Sequence, residues 1–279
     1  MTKILVLAGR KQSGKSTAAK FVLGYYITQL QRKGISYLPN KFTIDETNGD
    51  LVISTPINPS LIDQIERWHI LDLKTDDYDT QTWLSDCVYP HIKIYSFADM
   101  LKAVLSIVFG IPDELMNGTD KDKMTPTHIK WKNFGSFLPS KTISDLKALN
   151  QYDKAMTVRD VMQFFGTNVC RKIYDPCWIE SCYKRIEMEQ PEIAVIDDCR
   201  FRSEVMASKK KNARIVKLCR KVDNDKHKSE TEIDKMHHNN FDLIIPAEAT
   251  IKEKNQLILD KMYEWEWFEK HEEWNNYDN

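Results

Sequence analysis

Eight residues near the N-terminus constrain the fold more than any other part of the chain. Residues 9–16, GRKQSGKS, fit the pattern G-x-x-x-x-G-K-[ST] of a phosphate-binding P-loop. An apolar run over residues 4–8 precedes the motif, and residues 17–30 carry apolar side chains at a helical spacing. A strand, a loop and a helix in this order direct backbone N–H groups and the positive end of the helix to one place. The sequence therefore predicts a nucleoside triphosphate site in an α/β protein.

The motif assigns a role to several of its side chains. The Lys15 ammonium group is expected to reach the β- and γ-phosphates of the nucleotide, and the Ser16 hydroxyl is expected to ligate the accompanying Mg²⁺. Backbone N–H groups of the loop supply further contacts with phosphate oxygens. The residues that we expect to bind the nucleoside triphosphate are Gly9, Lys11, Ser13, Gly14, Lys15, Ser16 and Thr17.

The charge balance and the cysteine pattern narrow the class of protein. Lysine and arginine number 40 against 41 aspartate and glutamate residues, so no global basic excess indicates a nucleic-acid or membrane partner. No run approaches the roughly 18 apolar residues of a membrane span, and the N-terminus leads into a predicted strand without a signal-peptide pattern. The six cysteines show no C-x-x-C spacing and are expected to be free thiols. We therefore expect a cytoplasmic protein without a membrane partner.

Apolar runs alternate with helical patterns through the rest of the chain, which favours a parallel sheet with right-handed crossovers. We expect the α/β, three-layer P-loop NTPase fold with a five-stranded parallel sheet, in a single domain over residues 1–279. The predicted strands cover residues 4–8, 91–96, 193–196, 213–219 and 241–245. The predicted helices cover residues 17–30, 98–109, 112–117, 158–173, 176–188, 203–210 and 251–267.

Two segments interrupt this alternation. Residues 35–90 are predicted to be an insertion with a β-hairpin, because two short strands flank the turn sequence Asn48-Gly49-Asp50. A short helix is expected over residues 59–69 of the same insertion. Residues 119–156 show only a weak pattern, and we expect a long loop, a lid or a second insertion there, on the substrate side.

Charged and polar side chains follow the predicted strands, and α/β sheets bind ligands at the carboxyl ends of their strands. We expect these groups to converge on one rim beside the triphosphate. The polar and charged residues are Ser96, Asp99 and Lys102 after the second strand, Asp197, Asp198, Arg200 and Arg202 after the third, and Arg220 with residues 227–230 after the fourth; the apolar Phe97 stands beside Ser96.

The residues after the third predicted strand allow more than one interpretation. Asp198 could cap the following helix or belong to a metal shell, and we favour Asp198 over Asp197 for Mg²⁺ because it stands two residues before an arginine. Arginine at a helix start is unfavourable against the helix dipole. An anion is therefore the expected partner of Arg200 or Arg202. We interpret Trp178 as a core residue rather than as a platform for base stacking.

Several short blocks of residues occur in this chain in an order and at a spacing that resemble the sequences of the deoxynucleoside monophosphate kinases of tailed bacteriophages. The resemblance covers residues 1–34 and 91–262. Two departures are Ser16, where the family commonly has an acidic residue, and the insertion over residues 35–90, which could alter the choice of acceptor. The blocks that carry the resemblance are the P-loop, Ser96-Phe97-Ala98-Asp99 with Leu101-Lys102, Val158-Arg159 with Met162-Gln163 and Gly166-Thr167, Arg171, Trp178, Asp198-Cys199-Arg200-Phe201 with Glu204, Arg220 and His227-Lys228-Ser229-Glu230.

The resemblance implies a nucleoside monophosphate kinase that transfers the γ-phosphate of ATP to a deoxynucleoside 5′-monophosphate (dNMP), and it is compatible with a homodimer. Lys15, Arg200 and Arg171 would place positive charge on the transferring group, and Ser16 and, through water, Asp198 would hold Mg²⁺. Arg220 and Arg159 are weaker candidates for a closing lid. The residues expected on the substrate side are Ser96, Phe97, Asp99, Lys102, Arg159, Arg171, Arg200, Ser229 and Glu230.

Two other functions remain open from the sequence. A P-loop kinase acting on a hydroxymethylated base in phage DNA could use the same scaffold. It would need a base for its hydroxyl acceptor, which Asp99 could supply, and a local basic groove at residues 41–54 or 121–141. A non-enzymatic, nucleotide-dependent P-loop module is the second alternative. The charged residues at four strand ends argue against such a module.

Overall fold

A computed structural model describes residues 2–35, 37–55, 67–220 and 232–270. The chain divides into two compact units: unit 1 comprises Met1–Ser96 and Arg185–Asn279, and unit 2 comprises Phe97–Lys184. Among the described residues, no helix has both the length and the apolar composition needed to cross a membrane.

The described residues form strands and helices in the following order along the chain. The strands are β1 (Lys3–Ala8), β2 (Lys41–Ile44), β3 (Leu51–Thr55), β4 (Arg67–Ile70), β5 (Ile92–Tyr95), β6 (Pro126–Lys130), β7 (Ala155–Thr157), β8 (Ile193–Cys199), β9 (Arg214–Leu218) and β10 (Leu243–Ile245). The α-helices are α1 (Lys15–Arg32), α2 (Tyr78–Trp83), α3 (Asp99–Phe109), α4 (Asp113–Asn117), α5 (Ser140–Ala148), α6 (Val158–Gln163), α7 (Arg171–Ile173), α8 (Cys177–Glu189), α9 (Arg202–Lys210) and α10 (Ile251–Glu264). Leu84–Val88 and Phe164–Cys170 are π-helical, and Asp122–Met124, Trp131–Phe137, Ile233–Lys235 and His238–Asn240 are 3₁₀-helical.

The central sheet of unit 1 has the order β10-β9-β1-β8-β5, and its strands are all parallel. This confirms the predicted five-stranded parallel sheet. Strand β1 lies in the middle, and residues 5–8 are fully buried, as an apolar strand covered on both faces should be. The two neighbours of β1 come from later in the chain on both sides, so the carboxyl end of β1 lies where the strand order reverses. Ligands bind α/β sheets at that position.

Helix α1 is buried on nearly all of its faces through its middle turns. Ala18, Ala19, Val22 and Leu23 join the main hydrophobic core together with residues of the central sheet. Gly24 has no room for a side chain, because a Cβ atom there would lie 2.5 Å from the Phe42 ring. The central sheet and the inserted hairpin therefore both pack against this helix.

The insertion contains the predicted hairpin, in which β2 and β3 pair antiparallel. The prediction of a helix over residues 59–69 is wrong at residues 67–69, which belong to β4 and pair with β3; residues 59–66 lie outside the described residues. Helix α2 and the π-helical turn after it were not anticipated by the sequence pattern. A local signal for α2 exists, since the Asp77 carboxylate accepts a hydrogen bond from the Thr80 backbone N–H at 2.8 Å.

Unit 2 has a core of its own, and its middle segment contains strands and a helix, so the expectation of a long loop is wrong, whereas a lid or a second insertion stays a prediction. Within residues 119–156, β6 pairs antiparallel with β7, and α5 lies between them in the chain. Phe134 packs against Phe164 with ring centroids 5.1 Å apart. Buried apolar residues of this segment are Ile129, Phe134, Leu138 and Met156. Because these residues are spaced irregularly, the sequence shows neither helical nor strand periodicity here, and the elements of this segment were not predicted.

The predicted helix over residues 158–173 is one continuous helical stretch, made of α6, a π-helical segment and α7. Trp178, at the start of α8, is buried and donates a hydrogen bond from its indole N–H to the Gly166 carbonyl at 3.1 Å. This confirms its interpretation as a core residue.

Candidate active site

The loop between β1 and α1 contains three residues with a positive φ. Gly14 is left-handed at φ 90°, Gly9 has φ 153°, and Gln12 also has a positive φ of 57°. A Cβ atom at Gly9 would lie 2.4 Å from the Leu218 carbonyl oxygen. Glycine at position 9 therefore permits the close approach of the loop to the end of β9.

The N-terminus of α1 presents positive potential at this loop. Gly14 is the N-cap residue and provides no side-chain cap, and the first turn of the helix contains no acidic residue. An uncapped helix of 18 residues leaves backbone N–H groups and the positive end of its dipole available to an anion. Ser16 is exposed at this end, whereas Ser13 is buried.

Lys15 is buried and folds back onto the loop. Its Nζ donates hydrogen bonds to the carbonyl oxygens of Gly9 at 2.9 Å and Arg10 at 2.5 Å, and lies 3.5 Å from the Ser13 hydroxyl. Because its ammonium group is hydrogen-bonded to loop carbonyls, the flexible side chain of Lys15 must rotate before it can reach a phosphate oxygen.

The end of β8 brings an acidic residue beside the loop. Strand β8 extends to Cys199, so Asp197 and Asp198 lie within the strand and not after it, as the sequence had suggested. Cys199 is paired with Ala8, and its carbonyl accepts a hydrogen bond from Gly9 N–H at 3.1 Å. Asp198 is therefore the sequence neighbour of Cys199, the residue that is hydrogen-bonded to Gly9, and so stands beside the start of the loop.

Ser96, directly after β5, donates a hydrogen bond from its hydroxyl to the Asp198 carboxylate. This contact joins the ends of two neighbouring strands and fixes one oxygen of the carboxylate. The neighbouring Cys199 thiol is fully buried, and burial, with the charges of Glu204 and Asp198, raises its pKa well above the ordinary value. The thiol therefore stays protonated and serves as a packing group rather than as a nucleophile.

Glu204 organises the turn that carries Arg200. Its buried carboxylate accepts hydrogen bonds from the backbone N–H groups of Arg200 at 2.7 Å and Phe201 at 3.0 Å. The carboxylate thus pairs with backbone N–H groups that have no partner within α9, and its negative charge interacts favourably with the positive end of the helix dipole. Sequence reasoning had placed Glu204 in a motif without giving it a role.

Two further contacts tie the rim of the loop to the end of β9 and to the segment before β10. Arg220 donates from its guanidinium to the Lys11 carbonyl at 3.0 Å. Arg10 forms an ion pair with Asp234 at 2.5 Å, and the buried Lys217 lies 3.6 Å from the same carboxylate. The Arg10–Asp234 pair was missed from sequence, because its partners are 224 residues apart and neither carries a motif signal.

The donors at this rim fit a magnesium ion that accompanies a nucleotide. Magnesium prefers oxygen ligands and is held in kinases by one or two protein groups together with phosphates and water. The Ser16 hydroxyl and the Asp198 carboxylate offer such oxygens. Within the described part of the chain, no three His, Cys, Asp or Glu side chains are grouped to hold a metal by themselves. A metal bound largely by phosphate oxygens is the arrangement that these residues suit.

In unit 2, the predicted substrate-side residues have local partners. Lys102 donates to Asn117 Oδ1 at 2.8 Å, and Arg159 forms an ion pair with Asp120 at 2.6 Å. Phe97 is buried, with its ring centroid 6.1 Å from that of Tyr183. Asp99 and Arg171 lie half-buried at the starts of α3 and α7. Ser229 and Glu230, predicted on the substrate side, lie outside the described residues.

A protein-family model described as deoxynucleotide monophosphate kinase matches residues 91–258. The match covers more than half of the chain and contains Asp198, Arg200 and all of unit 2. It begins after the P-loop and after the inserted hairpin. A search of curated proteins finds no match to the chain.

Proposed function

The chain belongs to the deoxynucleotide monophosphate kinase family, and from that membership we propose that it transfers the γ-phosphoryl group of ATP to the 5′-phosphate of a dNMP. A member of this family is a phosphotransferase, so the non-enzymatic alternative is set aside. The use of ATP as donor, the use of Mg²⁺ and the role of each residue are the parts that we propose.

The observation that carries the proposal is the loop between β1 and α1. It combines a left-handed Gly14, an uncapped helix N-terminus without acidic residues and a lysine one residue into the helix. This combination suits a triphosphate, because oriented N–H groups and one ammonium group on a flexible stem lie at the same loop. The proposed role of Lys15 is to leave the carbonyls of Gly9 and Arg10 and bind the β- and γ-phosphates when ATP enters.

Ser16 and Asp198 are the proposed magnesium ligands, Asp198 acting through water. Bound there, the ion would neutralise charge on the β- and γ-phosphate oxygens during transfer. The hydrogen bond from Ser96 orients the Asp198 carboxylate, which would contribute to a magnesium site through water. Ser96 is therefore proposed to act on the metal site through Asp198 rather than on the substrate directly.

The acceptor in this reaction is already an anionic phosphate, so the protein needs no strong general base. What it needs is in-line positioning of two anionic groups and positive charge to offset their repulsion. Arg200 follows directly from the strand of Asp198, and its backbone is fixed by Glu204. We assign Arg200 and Arg171 to the acceptor and transferring phosphates, with Lys102 and Arg159 as further acceptor-side cations.

Exclusion of water completes the mechanism, because a kinase that admits water to the γ-phosphate hydrolyses ATP. Arg220 and Arg159 are the residues proposed to close over the bound nucleotides and exclude water. Arg220 is already anchored on the Lys11 carbonyl of the phosphate loop, which gives it a direct link to the donor site.

The proposal is tested by incubating the purified full chain with ATP, MgCl₂ and each dNMP, and by following the diphosphate product. Formation of at least one deoxynucleoside diphosphate is the expected result. Lys15→Ala should retain the melting temperature of the apo protein while it loses nearly all turnover. A variant that kept more than about a tenth of the turnover, which corresponds to a barrier change under ~1.4 kcal/mol, would contradict the role given to the loop.

A further inference from the structure

The inserted hairpin lies along the helix that begins at the phosphate loop. Phe42 and Leu51, on its inner face, are buried in the main core. A Cβ atom added at Gly24 of α1 would lie 2.5 Å from the Phe42 ring and 2.8 Å from a Leu51 methyl group. The Phe21 and Phe42 rings are 5.7 Å apart between centroids. The hairpin is therefore packed directly on α1, although it lies outside the residues that match the family model.

The turn of this hairpin reaches the first turn of α1. Gly49 is buried with φ 77°, and a Cβ atom there would lie 2.4 Å from the Thr17 hydroxyl oxygen and 3.4 Å from the Thr17 Cβ. Asp50 forms an ion pair with Lys20 at 2.8 Å, one turn further along the helix. Two contacts thus join the turn to the N-terminal end of α1, which begins at the P-loop.

The turn is held in one shape by its own hydrogen bonds. Gly49 N–H donates to the Asp45 carbonyl at 2.7 Å, and Asp45 N–H donates to the Asp50 carbonyl at 2.9 Å. The Asn48 side chain accepts from Asp50 N–H at 2.9 Å, and the Asp45 carboxylate accepts from both the backbone and the hydroxyl of Thr47. These hydrogen bonds restrain the backbone of the turn, so the turn keeps its shape where it contacts Thr17.

We propose that the hairpin turn, residues 45–50, is a positioning element of the donor-phosphate site, and that Gly49 sets the orientation of the Thr17 hydroxyl. The inference rests on the proposed function, because it assumes that Thr17 binds a phosphate of ATP. It makes the insertion a determinant of nucleotide affinity.

The physical argument concerns the rotamer of one side chain. Threonine in a helix divides between two χ1 rotamers, and a contact on one side decides between them. The absence of a side chain at position 49 leaves space for the Thr17 hydroxyl where it now lies. An alanine at position 49 would enter that space and turn the hydroxyl away. Loss of a hydrogen bond to a charged phosphate should weaken ATP binding by about tenfold or more.

The chain offers a matched control for this substitution. Gly34, at the end of α1, also has a left-handed φ of 103°, but a Cβ atom there would meet nothing within 4 Å. Gly49→Ala and Gly34→Ala both introduce strain at a positive φ, and only the first introduces an atom beside Thr17. Comparison of the two separates an effect on the phosphate site from backbone strain.

The test measures the Kd for ATP by calorimetry and the melting temperature for the full-length wild type, Gly49→Ala, Gly34→Ala, Thr17→Ala and the double variant Gly49→Ala/Thr17→Ala. Gly49→Ala should raise the Kd by about tenfold, and Gly34→Ala should leave it unchanged. In the Thr17→Ala background, the Gly49 substitution should have no further effect on the Kd, because the group that it displaces is absent. Asp50→Asn, which breaks the ion pair with Lys20 without adding an atom, should raise the Kd to a smaller extent and provides a readout if Gly49→Ala does not fold.

The outcomes separate this inference from the proposed function. Equal Kd values for Gly49→Ala and Gly34→Ala would overturn the inference, as would an undiminished effect of Gly49→Ala in the Thr17→Ala background. If Gly49→Ala does not fold, an unchanged Kd in Asp50→Asn would overturn it. A wild-type protein that neither binds ATP nor phosphorylates a dNMP would contradict the proposed function itself, and the inference with it.

Discussion

Removal of the Glu204 carboxylate should both destabilise the protein and disturb the acceptor site. Glu204 is 3% exposed, and its carboxylate accepts hydrogen bonds from the backbone N–H groups of Arg200 at 2.7 Å and Phe201 at 3.0 Å. Glu204→Ala removes a helix cap, which typically contributes about 1–2 kcal/mol. Because the freed backbone donors have reduced access to water, the loss should lie at the upper end of the roughly 1–3 kcal/mol that a buried, unsatisfied donor costs. The expected loss in the free energy of unfolding is therefore about 3 kcal/mol.

For a chain of this size, that loss corresponds to a decrease in Tm of about 6–12 °C, measured by thermal unfolding. Glu204→Gln keeps the shape and one accepting oxygen, so it should lower the Tm less. Because Arg200 stands on the same turn, the KM for dNMP should rise in Glu204→Ala while the Kd for ATP changes little.

Glu253 provides the control, since its carboxylate also accepts from a backbone N–H at the start of a helix, that of Thr250 at 2.7 Å, but it is exposed. Glu253→Ala should lower the Tm less and leave the KM for dNMP unchanged. Equal decreases in Tm for Glu204→Ala and Glu253→Ala, or an unchanged KM in Glu204→Ala, would refute the reasoning that burial and the link to Arg200 make this carboxylate important.

Three other predictions concern the metal, the acceptor and pH. Asp198→Asn should raise the Mg²⁺ concentration needed for half-maximal activity much more than Asp197→Asn; equal effects, or a larger one at Asp197, would reverse the assignment. Arg200→Lys should impair the KM for dNMP and kcat while ATP binding stays nearly intact, because lysine lacks the bidentate fork; normal acceptor kinetics would contradict the role of the guanidinium. Burial would raise the pKa of Glu192, but hydrogen bonds, one of them from Tyr26, bring it below the ordinary value. Its contribution to stability is complete above the ordinary glutamate pKa and is lost as the pH falls toward the lower folded-state pKa. The Tm should therefore decline in acid, and less steeply in Tyr26→Phe; parallel declines would disprove the linkage.

The parts of the fold that could be predicted from sequence are those with strong local signals. Strand β1, the P-loop and α1 are contiguous, and their apolar runs and glycines specify them without distant contacts. The hairpin of β2 and β3 was predicted for the same reason, from Asn48-Gly49-Asp50. The left-handed Gln12 has no such signal, since only the surrounding loop imposes its positive φ.

Tertiary contacts determined the parts that the sequence did not predict. The segment over residues 119–156 has ordered strands and helices because scattered apolar residues such as Phe134 find partners in the core of unit 2. In the candidate site, the predicted strand ends indicated Ser96 and Asp198 individually, but their hydrogen bond joins residues that are 102 positions apart in the chain. The contacts of Arg10 with Asp234 and of Arg220 with Lys11 likewise arise only when the strand ends meet.

The central claim is that a free dNMP accepts the γ-phosphoryl group of ATP, and the location of a transferred label tests it most directly. The protein is incubated with γ-labelled ATP, MgCl₂, the four dNMPs and, separately, hydroxymethylated DNA, at low and at moderate salt. We predict label on at least one dNMP, with only a modest change between the two salt concentrations. A kinase acting on DNA would instead lose affinity steeply with salt through counterion release. Label on the modified DNA and on none of the dNMPs would contradict the account.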